Sequence, residues 1–394
     1  MPERDTTRSG SLHGRDEGDG VARYVMVGGF LGAGKTTALA RLGHFLHGRG
    51  LRVGLITNDQ STDLVDTAML RSEGFDVEEI AGGCFCCRFD SLHEAAGRLD
   101  ERSRPEVFVA EPVGSCTDLV ATVGYPLRRI YGDRFRVAPL SVMVDPLRAA
   151  RIFGLGEGRS FSSKVEYVYR KQLEEADLIV VNKVDLIDGD LRRRLQAVLG
   201  DEHPEARVLS CSAREGTGLE EWFELVLDGE AVRRPTMEVD YTTYAEGEAL
   251  LGWLNCTVAV DTEEPLDGAD LLAEIGRRID DLLADTGEEI AHLKMTLDPG
   301  LPSGEIAVVS LVRSGEEPEL RASPIEAVRG GHLIINLRAE GDPERLRRVT
   351  EAALAATGRQ RDARLELEHL EHFRPAPPVP VHRDEVLITD ASEG

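Results

Sequence analysis

The chain has 394 residues, with 46 Lys and Arg against 71 Asp and Glu and a formal net charge of −25. Such a charge repels a phosphate backbone, so nucleic acid and anionic membranes are disfavoured as partners. The hydrophobic fraction of 41% suffices for real cores, the 5% aromatic content is poor material for base stacking, and the length suggests two domains.

In chain order, residues 1–20 lack periodicity and read as a disordered tail without the apolar segment of a secretory signal. No stretch is long enough to span a bilayer, so the sequence reads as cytoplasmic. Strands are predicted at 23–27, 52–57, 76–80, 106–110, 139–145, 177–181 and 207–210, with helix-like segments between them, the first at about 35–49. Such alternation predicts an α/β unit over 21–230, a mostly parallel sheet with helices on both faces. Residues 231–247 read as a linker. Over 248–374, strands near 253–260, 291–297, 305–313, 332–338 and 364–370 join helices near 269–285 and 343–357. This order predicts a smaller α+β domain, loosely ferredoxin-like. The Pro-rich remainder, 375–394, reads as an extended tail.

The strongest motif is Gly29-Phe30-Leu31-Gly32-Ala33-Gly34-Lys35-Thr36, followed by Thr37. It fits G-x-x-x-x-G-K-[ST] between a predicted strand and a predicted helix, which is the context a P-loop requires. Gly29, Gly32, Ala33, Gly34 and Thr37 would wrap phosphates with backbone N–H groups at a helix N-terminus. Lys35 would reach the β- and γ-phosphates, and the Thr36 hydroxyl would bind Mg²⁺.

Guanine is the predicted base. Asn182-Lys183-Val184-Asp185 follows a buried strand and matches the N-K-x-D pattern. The Asp185 carboxylate can accept from guanine N1 and N2, a donor pair that adenine lacks on that edge. Ser212 and Ala213, at the end of the next strand, resemble the Ser-Ala loop that closes over guanine in GTP-binding proteins. Asp59, after the second strand, is a candidate for Mg²⁺. Glu111, after the strand 106–110, is a candidate for Mg²⁺ water or for orienting an attacking water, and Gly114 for an N–H donated to the γ-phosphate. Lys35, Thr36, Asp59 and Glu111 are thus the candidate catalytic residues.

Three of the six cysteines, Cys84, Cys86 and Cys87, fall within four residues. Thiolates this close favour Zn²⁺, Cu(I) or iron–sulfur centres, and three of them leave a fourth position for water, a carboxylate or an acceptor protein. Cys116, Cys211 and Cys256 read as small buried apolar residues.

Together, Gly29–Thr37, Cys84-Phe85-Cys86-Cys87, Glu111-Pro112-Val113-Gly114 and Asn182-Lys183-Val184-Asp185 resemble the CobW-like GTPases, relatives of the nickel-insertion GTPases of urease and hydrogenase. The resemblance spans about residues 23–228. It implies a GTP-hydrolysing metallochaperone using Mg²⁺, with Zn²⁺ or Co²⁺ held at Cys84, Cys86 and Cys87 for a client metalloenzyme, in a chain that can homodimerise. Where many relatives have Asn-Glu-Phe-Gly, this sequence has Asn58-Asp59-Gln60-Ser61, and the His-rich tract of many relatives is missing. The alternative reading is a GTP-gated assembly or protection factor, for a cobalamin- or metal-dependent enzyme, that carries no metal cargo.

Overall fold

The computed structural model describes residues 20–58, 65–158, 160–231, 235–322 and 327–385. The chain starts with β1 (Ala22–Gly29), α1 (Lys35–Gly48), β2 (Val53–Asn58), α2 (Val65–Ser72), β3 (Val77–Ile80), α3 (Phe89–Ser103) and β4 (Val107–Glu111). A single π turn, Val120–Gly124, leads into α4 (Tyr125–Tyr131). Then follow β5 (Phe135–Val137), β6 (Ser141–Val144), α5 (Pro146–Ile152), α6 (Ser163–Glu174), β7 (Leu178–Val181), α7 (Gly189–Glu202), β8 (Arg207–Ser210) and α8 (Leu219–Asp228).

These strands form an eight-stranded sheet in the order β3-β2-β4-β1-β6-β7-β8, with β5 paired to β1. Every pairing is parallel. Parallel strands need crossover helices, and those helices cover both faces. Runs such as Leu178-Ile179-Val180-Val181 are therefore buried throughout. Alternate residues of β1 serve different cores: Tyr24 and Met26 join one apolar cluster, Val25 and Val27 the other.

Tyr241–Leu250, which overlaps the stretch read as linker, is a helix, α9. Its N-terminus is capped by the Asp240 carboxylate, which accepts from Thr242 N and Thr243 N. Gly247, a poor helix former, hides it from a sequence reading. The glycine is needed because α9 crosses α6 closely: a Cβ there would lie 2.4 Å from the Lys164 carbonyl oxygen.

The rest folds as β9 (Leu251–Leu266), α10 (Gly268–Ala284), β10 (Glu289–Asp298), β11 (Ala307–Leu311), β12 (Glu319–Ala322), β13 (Val328–Glu340), α11 (Pro343–Arg361) and β14 (Ala363–Phe373). The six strands form an antiparallel sheet in the order β12-β11-β10-β13-β9-β14. β12, short, polar and at an edge, is a strand the sequence does not announce, as is the three-residue β5 of the first sheet. One sheet face buries Leu254, Leu293, Ile335 and Leu337 against Ile275 and Ile279 of α10 and Leu346 of α11.

The alternate residues, Trp253, Asn255, His292, Lys294, Asn336 and Arg338, occupy the opposite face. That face is covered by the first unit: Trp253 and Ala291 belong to its core cluster, and Asn336 Oδ1 accepts from Val65 N at 3.1 Å. The second sheet thus lies over the strand ends of the first. No helix among the described residues is long and apolar enough to cross a membrane.

Candidate nucleotide and metal site

In an open parallel sheet, ligands bind beyond the carboxyl ends of the strands. Here β1 ends at Gly29, β2 at Asn58, β4 at Glu111 and β7 one residue before Asn182. The predicted phosphate, acid and base-reading segments therefore converge because each follows a strand of one sheet. Asp59 lies outside the described residues.

The loop from Gly29 to Gly34 needs its glycines. Gly29, Gly32 and Gly34 have φ of 125°, 77° and 88°. A Cβ on Gly29 would meet Met143 O at 2.3 Å, and one on Gly34 would meet Asn182 Nδ2 at 2.5 Å. Gly34 caps α1, so the positive end of that helix faces the loop. Lys35 is buried and folds back, donating to Gly29 O at 2.9 Å. Burial pushes its ammonium below the usual lysine range, while Glu111, at 3.9 Å, opposes this.

On the base side, Asn182 ties three loops together. Its Nδ2 donates to Ala33 O at 2.9 Å and its Oδ1 accepts from Ala213 N at 2.9 Å. Lys183 adopts the left-handed conformation and donates to Gly32 O at 2.7 Å and to Asp145 Oδ2 at 2.9 Å. Asp185 is exposed in the short turn Val184–Leu186. Ser212 is buried, and its hydroxyl oxygen accepts from Glu215 N at 3.1 Å.

Beside Thr36 and Glu111 lie two residues that the motifs did not single out, Asp66 and Lys294. The Thr36 hydroxyl donates to Asp66 Oδ1 at 2.6 Å and lies 3.4 Å from Glu111 Oε1. The Asp66 carboxylate also accepts from Lys294 Nζ, at 2.5 and 2.7 Å. Burial opposes ionisation of Asp66, but Lys294 and Thr36 outweigh it and hold the carboxyl below the usual range. Burial, then the neighbouring Asp66 charge, pushes Glu111 up to about 7. Glu111 Oε2 is buried and has no hydrogen-bond partner among the described residues. An orphaned acid oxygen beside the P-loop threonine suits a hydrated cation or a water. Gly114 packs on the P-loop, where a Cβ would lie 2.7 Å from Leu31 Cδ2. The cavity over these groups is closed from the second sheet by His292, Lys294 and Arg321.

The three clustered thiols sit in the turn between β3 and α3. Their Sγ atoms are 2.8, 3.1 and 3.7 Å apart. All three lie within 4.8 Å of one another, close enough for one metal ion. Cys84 and Cys86 are buried and Cys87 is half-buried. Cys116, read as a small buried apolar residue, is 1% exposed and belongs to the same core cluster as Cys84 and Cys86. With thiol partners from Cys116, Cys86 and Cys87, Cys84 is held far below the usual thiol range, while burial keeps Cys116 far above it. Cys256 lies in the second core, and Cys211 in the first unit beside Asn182.

The model of the CobW/HypB/UreG nucleotide-binding domain matches residues 23–210. This segment belongs to the CobW/HypB/UreG family. A zinc chaperone CobW from Sinorhizobium is 30% identical over 187 residues, covering 42% of this chain and 51% of that protein. The hydrogenase maturation factor HypB of Azotobacter vinelandii is 32% identical over 197 residues, covering 49% and 55%. The chain thus spans about half the length of these relatives. The Zn(II)-bound YjiA GTPase of Escherichia coli aligns over 86% of this chain and 99% of its own, with 17% identity and a TM-score of 0.38.

Within the CobW/HypB/UreG domain, the P-loop, N-K-x-D and C-x-C-C segments were legible as spaced motifs. Asp66 and Asp145 were not, because each is a lone residue whose partners are distant in sequence. Lys294 and His292 lie beyond the matched segment. The signal that could have found them is a basic pair spaced by two, alternating with the apolar Ala291, Leu293 and Met295, which puts both on one sheet face.

Proposed function

We propose that the chain binds and hydrolyses GTP with Mg²⁺, holds zinc (or cobalt) as cargo at Cys84, Cys86 and Cys87, and passes it to a client metalloenzyme in the cytoplasm. Lys35 and the P-loop N–H groups grip the phosphates, and Asp185 reads the guanine edge. Thr36 and Asp59 hold Mg²⁺, which neutralises charge on the phosphates when bound. Glu111 orients the attacking water and accepts its proton. The Thr36 hydroxyl becomes available when its bond to Asp66 breaks.

One observation carries this reading. Asn58, at the end of β2, lines the cavity over the P-loop and donates from Nδ2 to Gly83 O at 2.7 Å, next to Cys84. A change at the phosphates therefore has a hydrogen-bonded route to the thiols, as a GTP-dependent metal carrier needs. The relatives' names, zinc chaperone and hydrogenase maturation factor, support the same class.

The test is metal analysis of the full chain, with and without Mg²⁺ and a non-hydrolysable GTP analogue. About one zinc per chain is expected, a tetrahedral site's complement, and it should be lost when Cys84, Cys86 and Cys87 are changed to Ala. GTP should displace a fluorescent guanine nucleotide far better than ATP. Zinc content equal to that of the triple variant, or ATP binding as tight as GTP, overturns the proposal.

A further inference from the structure

The second sheet closes the cavity over the P-loop, and two of the residues that close it hold donors without acceptors. Strand β10 crosses the P-loop along its length. At one end, a Cβ on Gly32 would lie 3.2 Å from Ala291 O, and Arg148, which lies over the Phe30 ring, donates to the same carbonyl at 3.0 Å. Farther on, Lys294 Nζ meets Asp66, whose Oδ1 also accepts from the Thr36 hydroxyl at 2.6 Å. His292 lies between these two fixed points. It pairs with Arg338 as Lys294 pairs with Asn336, so the two side chains share one sheet face. Both line the cavity together with Lys35, Thr36, Glu111 and Gly114.

Neither side chain is satisfied by the described residues alone. His292 is 6% exposed, yet its ring makes no hydrogen bond among them. Burial and the nearby charges of Lys294, Arg338 and Lys35 keep that ring uncharged, with one N–H to give. An ammonium has three N–H donors, and the Asp66 carboxylate accepts two from Lys294, at 2.5 and 2.7 Å. The third has no partner among the described residues. Burying donors without acceptors is costly, and a ligand that brings oxygens offsets that cost. The P-loop dictates which oxygens arrive. In such loops the N–H groups hold the β-phosphate, and the Ser or Thr hydroxyl binds the Mg²⁺ that bridges β- and γ-phosphates. A wall that faces Thr36 is then the wall beside the γ-phosphate.

We infer that His292 and Lys294 select for the γ-phosphate: the second sheet donates hydrogen bonds to oxygens that GTP has and GDP lacks. The inference rests on the reading of the chain as a GTP binder and gives the second unit a part in that binding. Asn336, on the neighbouring strand β13, accepts from Val65 N at the start of α2. The pair β10 and β13 therefore touches both the phosphate wall and α2, so loss of the γ-phosphate is felt directly by the second sheet.

The test titrates the full chain, with Mg²⁺, against a non-hydrolysable GTP analogue and against GDP. His292→Ala and Lys294→Ala should each bind the analogue about tenfold more weakly, the worth of one hydrogen bond to a charged group, and GDP within about twofold of wild type. His292→Gln and Lys294→Arg, which keep a donor, should recover most of the analogue's affinity. Equal losses for the analogue and GDP, with melting curves that show the variants folded, overturn the inference and leave nucleotide binding intact. The wild type labelled with ¹⁵N at histidine gives a second readout. The ring signal that His292→Gln lacks should differ between the analogue and GDP complexes; an identical position in both overturns the inference. A wild type that binds neither nucleotide overturns the proposed function as well.

Discussion

Two side chains at the nucleotide pocket carry separable consequences. Asp185 is exposed in a turn whose neighbours, Asn182 and Lys183, are buried and fully engaged. It is therefore the member of that motif positioned to meet a base, while the other two brace the P-loop. Asp185→Ala should weaken GTP binding on the order of a hundredfold and leave ATP binding unchanged, as read by competitive titration; equal loss for both nucleotides would refute base reading. Lys294 belongs to the second sheet, yet its ammonium enters the pocket and meets Asp66. A polyanion arriving there meets a cation that the motifs do not predict. Lys294→Ala should weaken GTP binding roughly tenfold, the worth of one charge-assisted hydrogen bond. An affinity unchanged from wild type would show that Lys294 serves only Asp66.

Among the elements, the C-terminal strap after β14 makes contacts that follow from its composition. Prolines keep it extended and remove it from any helix or central strand. Its free N–H groups then find partners on the first unit: Val381 N donates to Cys86 O and Asp384 N to Ala121 O, each at 2.9 Å. Arg383 Nε donates to Asp118 Oδ2 at 2.8 Å, and His382 packs edge-on against Phe89. The strap therefore covers the exposed side of Cys87. Truncation before Pro375 should raise the rate of thiol modification by an aromatic disulfide reagent on the order of tenfold, given about 1 kcal/mol per lost hydrogen bond. Unaltered reactivity would mean that the strap does not guard the thiols. The helix α9 works beside it, placing Tyr244 and Glu248 behind the cluster, with the Tyr244 hydroxyl accepting from Thr117 N at 3.2 Å.

For the whole molecule, burial of acids sets how stability depends on pH. Burial pushes Glu248 up to about 8, despite the Ser115 hydroxyl that favours its ionised form. An acid whose folded pKa exceeds its unfolded value of about 4.3 binds more protons when folded across that interval. Its stabilising contribution is complete below the unfolded value and disappears as pH rises through 8, at up to about 1.4 kcal/mol per pH unit. Glu248→Gln keeps an acceptor for Ser115 and cannot ionise. Its melting temperature should therefore fall less than that of the wild type between pH 6 and 8.5; parallel curves would sink the assignment. The seam between the two sheets adds a second global link. Asp145, at the end of β6, accepts from Lys183 and, across the seam, from Arg313, while Arg148 donates to Ala291 O at 3.0 Å. Burial disfavours the Asp145 charge, yet those cations hold the carboxyl below its usual range. The seam thus couples the loop after β7 to the second sheet.

The sequence by itself determined the parallel sheet, because fully apolar runs separated by helical segments admit few other arrangements. It also determined the P-loop, the Asn182–Asp185 segment and the three clustered thiols, because each is a local pattern whose chemistry depends on short spacing. Only the tertiary structure decided what closes these sites. Val379 reaches Cys87 from 292 residues away, and Lys294 reaches Asp66 from 228 residues away. Neither distance leaves a trace in composition or periodicity. Gly247 shows the same division: in sequence it argues against a helix, and in space it is what lets α9 lie against α6. Contacts between remote segments are set by how layers stack, and stacking is fixed by the burial of whole faces rather than by any local run of residues.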